Sequence, residues 1–489
     1  MSNLHLDRRA LLIAGAGVAT TAAVAPFSPA AAGTVSKQVF RGGFDARTKR
    51  DWHYLPFDVP AGVRKITVRY KYPEPKDTGF GISQNVIDIG IFDPDGFRGW
   101  SGGARRWFQL SRTGATPGYL PGEITPGRWR VALGPYQVVD PIRYRVVVTL
   151  HFGEPGPGFV PAPAPTAVDP IRPAGWYRGD LHVHTVHSDG SQTQGDVVTY
   201  AKAAGLDFIG TSEHNTTSAT QTWGRFAPAD FLVIPGAEVT TRAGHWLASG
   251  VPAGTWIDWR YTDDAKLAAR TEQVRRLGGI AIAAHPNIPA PSIRWDFDSS
   301  FAQMDAIEVW NGPWTGINGV ANNQAVTRWH DLLTAGIFKP AVGNSDTHRH
   351  GQAIGLAQTV VRAEQLSVEA IIEGYRLGHS WLTASSGVDL QFTATNADVS
   401  GECGDRVPSE SGQEVDVRLV VSGVPDCTAT LIGPGATTFG TATAVDGKIT
   451  WDVKVPGGTA FVRAEVRKGT AANSQMVAMT NPIFLTALG

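Results

Sequence analysis

Apolar and polar positions alternate with a period of two at both ends of the chain and change to a mixed rhythm in the middle. Toward the N-terminus, Ile66, Val68, Tyr70 and Tyr72, and later Tyr144, Val146, Val148 and Leu150, occupy alternate positions between Gly and Pro turns. Strands with one buried face follow from that pattern, and with them a β-sandwich over residues 33–152. A second alternating region holds Val415, Val417, Leu419 and Val421, then Phe461, Arg463, Glu465 and Arg467. It predicts an immunoglobulin-like sandwich over 388–489. Between the two, apolar runs at 176–181, 206–211, 231–237, 279–284, 304–309, 340–344 and 355–361 alternate with helical patterns. One such helix spans 263–277, where Leu267, Val274 and Leu277 share a face. Strand, helix, strand repeated over 174–387 is the signature of a parallel sheet, open or closed into a barrel. The proline-dense stretch GEPGPGFVPAPAPTAVDPIRP at 153–173 has no period and predicts an extended connector.

The mixed region also carries the chemistry. Nine side chains able to bind a metal recur in it: His182, His184, Asp189, His214, Glu238, His245, His285, Asp346 and His348, within DLHVHTVHSDG, TSEHN, PGAEVT, AGHW, AAHPN and GNSDTH. Strand residues two apart project to one side, so His182 and His184 can hold one ion, and Asp346 and His348 repeat the spacing. Imidazole and carboxylate suit zinc, manganese or iron, and the absence of thiols argues against a closed structural zinc site. Nine donors exceed the need of one tetrahedral ion, so two or three divalent cations are expected, with a carboxylate bridging. His182, His214, Glu238, His285 and Asp346 are expected at or just beyond strand C-termini. A barrel gathers many strand ends around one mouth, whereas an open sheet offers mainly one crevice.

Composition narrows the partners. A formal net charge of −1 over 489 residues leaves no broad basic surface to drive polynucleotide binding. Residues 1–32 read as a targeting segment: Arg8 and Arg9 precede an uncharged stretch ending in small residues at Ala30, Ala31 and Ala32. DRRALLIAG resembles a twin-arginine export signal, with an ordinary secretory signal as the alternative, so the mature chain is expected in the periplasm or outside the cell. The stretch is too short and too rich in Ala and Gly to make a stable membrane anchor. Cys403 and Cys427 are the only cysteines; a disulfide and two buried thiols both remain open. Trp100, Trp107 and Phe108 beside Arg105 and Arg106 read as a half-buried sandwich face, or as a surface for a glycan or polymer.

In order and spacing these motifs resemble the PHP family, named for polymerase and histidinol phosphatase, over about 176–383. The resemblance implies a distorted seven-stranded α/β barrel with up to three divalent ions at its C-terminal mouth. It implies that His182, His184, Glu238 and Asp346 hold one ion, Glu238, His245 and His285 a second, and Asp189, His214 and His348 a third. The family's Thr-Asp-His is here Ser212, Glu213 and His214. The flanking β-regions and the export signal resemble the secreted, carbaryl-hydrolase-like branch.

Clustered divalent ions imply hydrolysis of a small-molecule ester by water ionised between them, with no side-chain nucleophile. Ser188 and Ser191 flank a ligand, but no base is assigned to either. Phosphate mono- or diesters are the expected substrates, because a multi-ion clamp suits charge spread over several oxygens. Carboxylic or carbamic esters are the alternative, and a non-catalytic glycan- or surface-binding protein is a third reading. Glu213, Asn215, His187, Arg242, Arg349 and His350 lie beside ligands and are candidates for substrate contact or proton transfer. Asn311 and Asn344 are candidates for orienting substrate, and Trp310 and Trp314 for stacking a ring or filling the barrel rim.

Overall fold

The structure, a computed structural model, describes residues 34–45, 47, 51–73, 85–290, 293–298, 301–469 and 474–486. The segment read as an export signal lies outside the described residues. Among these, no helix is long and apolar enough to cross a membrane.

Two four-stranded antiparallel sheets make up the N-terminal region. One is ordered Val35–Phe44, Ile142–Phe152, Val63–Lys71, Trp107–Ser111; the other His53–Val59, Gly127–Gln137, Val86–Phe92, Phe97–Trp100. The alternating positions point inward, as a pleated strand requires. Ile66, Val68, Ile89, Val131 and Val148 are fully buried, each contributing about 1.5–3 kcal/mol relative to exposure. Trp100 and Phe108 are buried and Trp107 is exposed. Residues 153–173 form no helix or strand. They are pinned by backbone hydrogen bonds, Phe159 to Arg112 and Ala162 to Gln221 among them.

The central region is mixed α/β, and it differs from a uniform strand-helix repeat. Its strands fall into two sheets. In one, Leu232–Ile234, Phe208–Gly210 and Gly175–Asp180 pair in parallel, followed by antiparallel Gln358–Ala363 and Ser380–Thr383. The other is ordered Gly236–Thr241, Gly244–Ser249, Ile280–Ala283, Ala306–Asn311, Ala341–Asn344, antiparallel over the first two pairings and parallel over the last two. The reason lies in loop length. A parallel crossover needs a dozen or more residues, and only Arg242 and Ala243 separate the two hairpin strands. The run 231–237, expected as one strand, is broken at Pro235, which has no N–H to give a ladder. Glu238 therefore lies inside a strand, not beyond the end of one. Two isolated parallel bridges, His214 to Glu238 and Val183 to Thr347, stitch the sheets together just past the strand ends. Helices Gln194–Ala203, Asp264–Arg276, Gly316–Thr334 and Val368–Leu377 cover the strands.

In the C-terminal region, Val399–Gly401, Asp389–Asn396, Glu414–Ser422 and Lys448–Pro456 form one sheet. The facing strands Gln475–Thr480, Phe461–Lys468, Cys427–Ile432 and Thr438–Thr443 continue a central sheet, because Trp381, Leu382 and Thr383 pair with Thr480, Met479 and Ala478. Cys403 and Cys427 are both buried, free thiols.

Candidate metal centre

The strand ends bring all nine sequence-identified donors to one place. His182 and His184 follow Gly175–Asp180, His214 follows Phe208–Gly210, His285 follows Ile280–Ala283, and Asp346 and His348 follow Ala341–Asn344. Glu238 and His245 stand on the two strands of the hairpin, and Asp189 on the turn after His184. Their donor atoms form four overlapping groups: His184, Asp189, His214, His348; His182, His184, Asp346; His182, Glu238, His285; and His214, Glu238, His245. His285 and Asp346 have positive φ angles of 28° and 51°, a conformation that costs a non-glycine residue about 1–3 kcal/mol and that collects at functional sites.

Hydrogen bonds fix which nitrogen each imidazole presents. His182 Nδ1 lies 3.1 Å from Glu308 Oε1, and a carboxylate accepts, so Nδ1 carries a proton and Nε2 is the atom offered to a metal. Ser188 Oγ donates to Glu213 Oε2 at 2.5 Å. That hydroxyl can therefore only accept from His184 Nδ1, 3.4 Å away, which again frees Nε2. His348 Nδ1 donates to the Asp346 carbonyl at 2.9 Å, and His214 Nδ1 lies 2.6 Å from Thr240 Oγ1 and 2.8 Å from Glu238 Oε2, which leaves Nε2 of each ring toward Asp189.

The freed atoms converge without partners. His182 Nε2, His184 Nε2, His245 Nε2 and Asp346 Oδ1 are buried with no hydrogen bond, an arrangement that costs free energy unless something else satisfies them. Donors held about 2.0–2.2 Å from one ion at tetrahedral or octahedral angles lie about 2.8–3.6 Å from each other. His182 Nε2 is 3.4 Å from Glu238 Oε2 and 3.3 Å from Asp346 Oδ1; His184 Nε2 is 3.4 and 3.2 Å from the same two oxygens. Glu238 Oε1 is hydrogen-bonded to His245 Nδ1 at 2.9 Å and to His285 Nε2 at 3.1 Å, contacts that a bound cation would replace. Asp189 Oδ1 is 3.5 Å from Nε2 of both His214 and His348. These donors fit divalent cations, and Glu238 gives one oxygen to each of two groups.

Charge follows the same division. Burial would raise the Glu238 carboxyl, but His214, His182 and His245 outweigh it and hold the group well below the usual range. Burial opposes protonation of His214, yet Glu238 and Asp189 raise it to about 10. His184 is lowered to about 3 by burial and by its neighbours His348 and His214.

Three acids behind the donors complete the scaffold. Glu308, buried in Ala306–Asn311, also accepts from Asn344 Nδ2 at 2.8 Å, Asn311 Nδ2 at 3.1 Å and the His285 amide at 2.7 Å. Asp180 accepts from the amides of His182, Ser345 and Gly355, and burial still pushes it up to about 6. Sequence reasoning passed over both in that role, although an acid inside or closing an apolar strand is itself a signal, since a buried charge needs partners. Glu213 is the third: it accepts from the amide and hydroxyl of Thr185 and from Ser188.

The donors open into a cavity of about 690 Å³. One side consists of His214, His245, His285, Asp346, His348, Arg349 and their neighbours; the other belongs to the N-terminal sandwich, with Tyr72, Val86, Asp88, Trp100, Arg106 and Tyr136. Of the six residues proposed from sequence for substrate contact or proton transfer, only Arg349 lines it. The oxygens of Glu213 serve the turn that follows His184. Asn215 exchanges both amide hydrogen bonds with the Thr240 backbone. His187 bonds Ser218 at 2.8 Å, Arg242 pairs with Asp88 at 3.0 Å, and His350 meets Tyr200. Asn311 and Asn344 serve Glu308, while Trp310 and Trp314 pack edge-on to each other, away from the cavity lining.

An α/β domain with a cluster of His, Asp and Glu donors that could hold metal ions is thus the class of protein that the geometry defines. No protein-family model matches the chain, and no curated protein matches it. Among solved structures, it is similar to a two-domain protein of Bacteroides vulgatus containing a predicted PHP-like metal-dependent phosphoesterase, at 18% identity and TM-score 0.35, over 66% of this chain and 99% of that one. It is also similar to an amidohydrolase of Chromobacterium violaceum with bound sulfate and no metal, at 15% identity and TM-score 0.28, over 36% of this chain and 89% of that one.

Proposed function

We propose that this chain is a polynuclear metal-dependent hydrolase of phosphate esters, of the PHP type that its motifs resemble, on a distorted seven-stranded barrel. The bridges at His214 and Val183 support closure of that barrel at its mouth. The observation that carries the reading is the convergence of buried, partnerless donor atoms at ligand spacing. One cation falls to His182, His184, Glu238 and Asp346, a second to Glu238, His245 and His285, and a third to Asp189, His214 and His348. When bound, such ions lower the pKa of a coordinated water and polarise the oxygen of the group under attack.

The chain's own residues do the rest. Glu308 and the Ser188–Glu213 pair hold the His182 and His184 rings with Nε2 turned inward. The Ser188 hydroxyl donates to Glu213 and accepts from His184 Nδ1, a positioning task, and the attacking group is taken to be water. Arg349 and Arg106 on the cavity lining bring positive charge toward phosphoryl oxygens, which favours an anionic substrate. The sandwich wall lines one side of the cavity over the site.

A second reading, hydrolysis of carboxylic or carbamic esters, draws on Tyr72, Trp100, Tyr136, Ile288 and Ile293 along the same cavity. These suit an aromatic, uncharged group and agree with the carbaryl-hydrolase-like resemblance. The test is turnover of aryl phosphates, bis-aryl phosphates and aryl carbamates by metal-loaded protein. Phosphate ester hydrolysis is expected; carbamate turnover alone would replace the first reading with the second. The twin-arginine start supports export, and fractionation of cells that express the full chain tests it.

A further inference from the structure

The turn 185–190 carries Asp189, whose carboxylate is 44% exposed and lies 3.5 Å from His214 and His348, in one donor group with His184. Its side chain reaches these imidazoles from the turn, so its position depends on the turn's backbone. Two carbonyls of the turn, Val186 and Ser188, receive both Nη atoms of Arg105, the Ser188 bond at 2.8 Å. Arg105 belongs to the N-terminal sandwich, on the loop between Phe97–Trp100 and Trp107–Ser111. The planar fork of a guanidinium spans two carbonyls at once, which an ammonium cannot do.

Further contacts bind the same sandwich to this rim. Gly118 exchanges hydrogen bonds with Thr216 Oγ1 at 2.8 Å and Ser218 Oγ at 3.0 Å, two and four residues past His214. A Cβ on Gly118, at φ +96°, would stand 2.8 Å from the His187 carbonyl, so the two backbones touch where only glycine fits. Asp88 pairs with Arg242 at 3.0 Å, between Glu238 and His245.

We infer that Arg105 is a positioning residue for the cation site at Asp189, His214 and His348, and that the N-terminal sandwich completes that site from outside the α/β region. Resting on the metal-site reading above, the inference names the element on which the outermost ion depends. Removing Arg105 leaves the Val186 and Ser188 carbonyls without their partner, and the turn relaxes away from His214 and His348. Loss of such an outer partner typically weakens metal affinity by about 10- to 100-fold.

The experiment titrates zinc into chelated full-length protein against a chromophoric competitor, for the native chain, Arg105→Ala, Arg105→Lys, Asp189→Ala and the double variant Arg105→Ala/Asp189→Ala. Both Arg105 variants are expected to weaken the most loosely held zinc by about 10- to 100-fold and leave the tighter zinc unchanged. Guanidinium ion should partly restore Arg105→Ala, and the double variant should bind no more weakly than Asp189→Ala. Native affinity for every zinc in the Arg105 variants would overturn the inference. So would equal weakening of all of them, additive effects in the double variant, or loss of folding in both Arg105→Ala and Arg105→Lys. A native chain that binds no zinc at all would defeat the hydrolase reading itself, a separate outcome.

Discussion

The floor and the rim of the cation site use the same residue types in different surroundings. On the floor, His182, His184 and Glu238 are 0% exposed, and Glu308, Asp180 and Glu213 fix them through hydrogen bonds. At the rim, Asp189 is 44% exposed, His348 25% and His214 21%, and the outer support comes from a different region of the chain. Burial strengthens each electrostatic interaction and forbids water from replacing a lost partner. If the proposed cations bind, the floor should hold its ions tightly and the rim should hold a looser, exchangeable one.

The largest expected effect is at the floor. Glu238→Ala removes the carboxylate that both inner donor groups share, and should abolish hydrolysis and strip bound metal; His182→Ala and Asp346→Ala should do nearly the same. Assay and elemental analysis of each variant check this, and full activity with full metal content in any of them would break the assignment. Next comes Glu308→Gln, which keeps the side chain's volume but removes the anion behind His182. It should cost about 10- to 100-fold in metal affinity or rate, read from kcat and zinc competition.

Asp189→Ala should loosen one cation and spare the rest, a smaller loss of rate than any floor variant. If it emptied the whole site, floor and rim would be one unit and the comparison would fail. Proton linkage gives a second readout at both levels, because on the floor burial is overcome by Asp346, Glu308 and Glu238, which hold His182 well above its usual value. His214 is raised to about 10, so in metal-free protein at pH 8 it holds a proton, whereas a ligand imidazole must be neutral. Loading at His182 and at His214 should release protons, with affinity at His214 rising with pH up to about 10. His184, lowered to about 3, should release none. Calorimetry in buffers of different ionisation enthalpy measures the release, and its absence would contradict the electrostatic account. Smallest of all, Arg418→Ala, which breaks an exposed pair with Asp452 in the C-terminal sheet, should leave metal and rate unchanged and shift stability by under about 0.5 kcal/mol.

Ligand chemistry made the site legible in the sequence. A cation accepts few residue types, so His182, His184 and the other donors announce themselves by identity and spacing, even when they lie on separate strands. Alternation exposed the sandwich strands for a similar reason, because one face must be dry. What stayed hidden depends on contacts distant in sequence. Arg105 meets Ser188 across 83 positions, and nothing near Arg105 distinguishes it from a surface arginine. The pairing of Leu382 with Met479, which continues a central sheet into the C-terminal region, leaves no local trace either. Short loops misled the strand pattern: the step from one sheet to the next at Pro235 and the two-residue turn at Arg242 look from sequence like one strand and a helix crossover. Six residues beside ligands drew attention by proximity, but a neighbour in sequence on a strand or turn points elsewhere, and only Arg349 reaches the cavity.

The account stands on the claim that these donors hold more than one cation. Elemental analysis of the full-length chain, purified without chelator and compared with Glu238→Ala, tests it most directly. More than one equivalent of a divalent transition metal per native chain, falling below one in the variant, is the predicted result. A native chain free of metal, or a variant that keeps its full content, would contradict it.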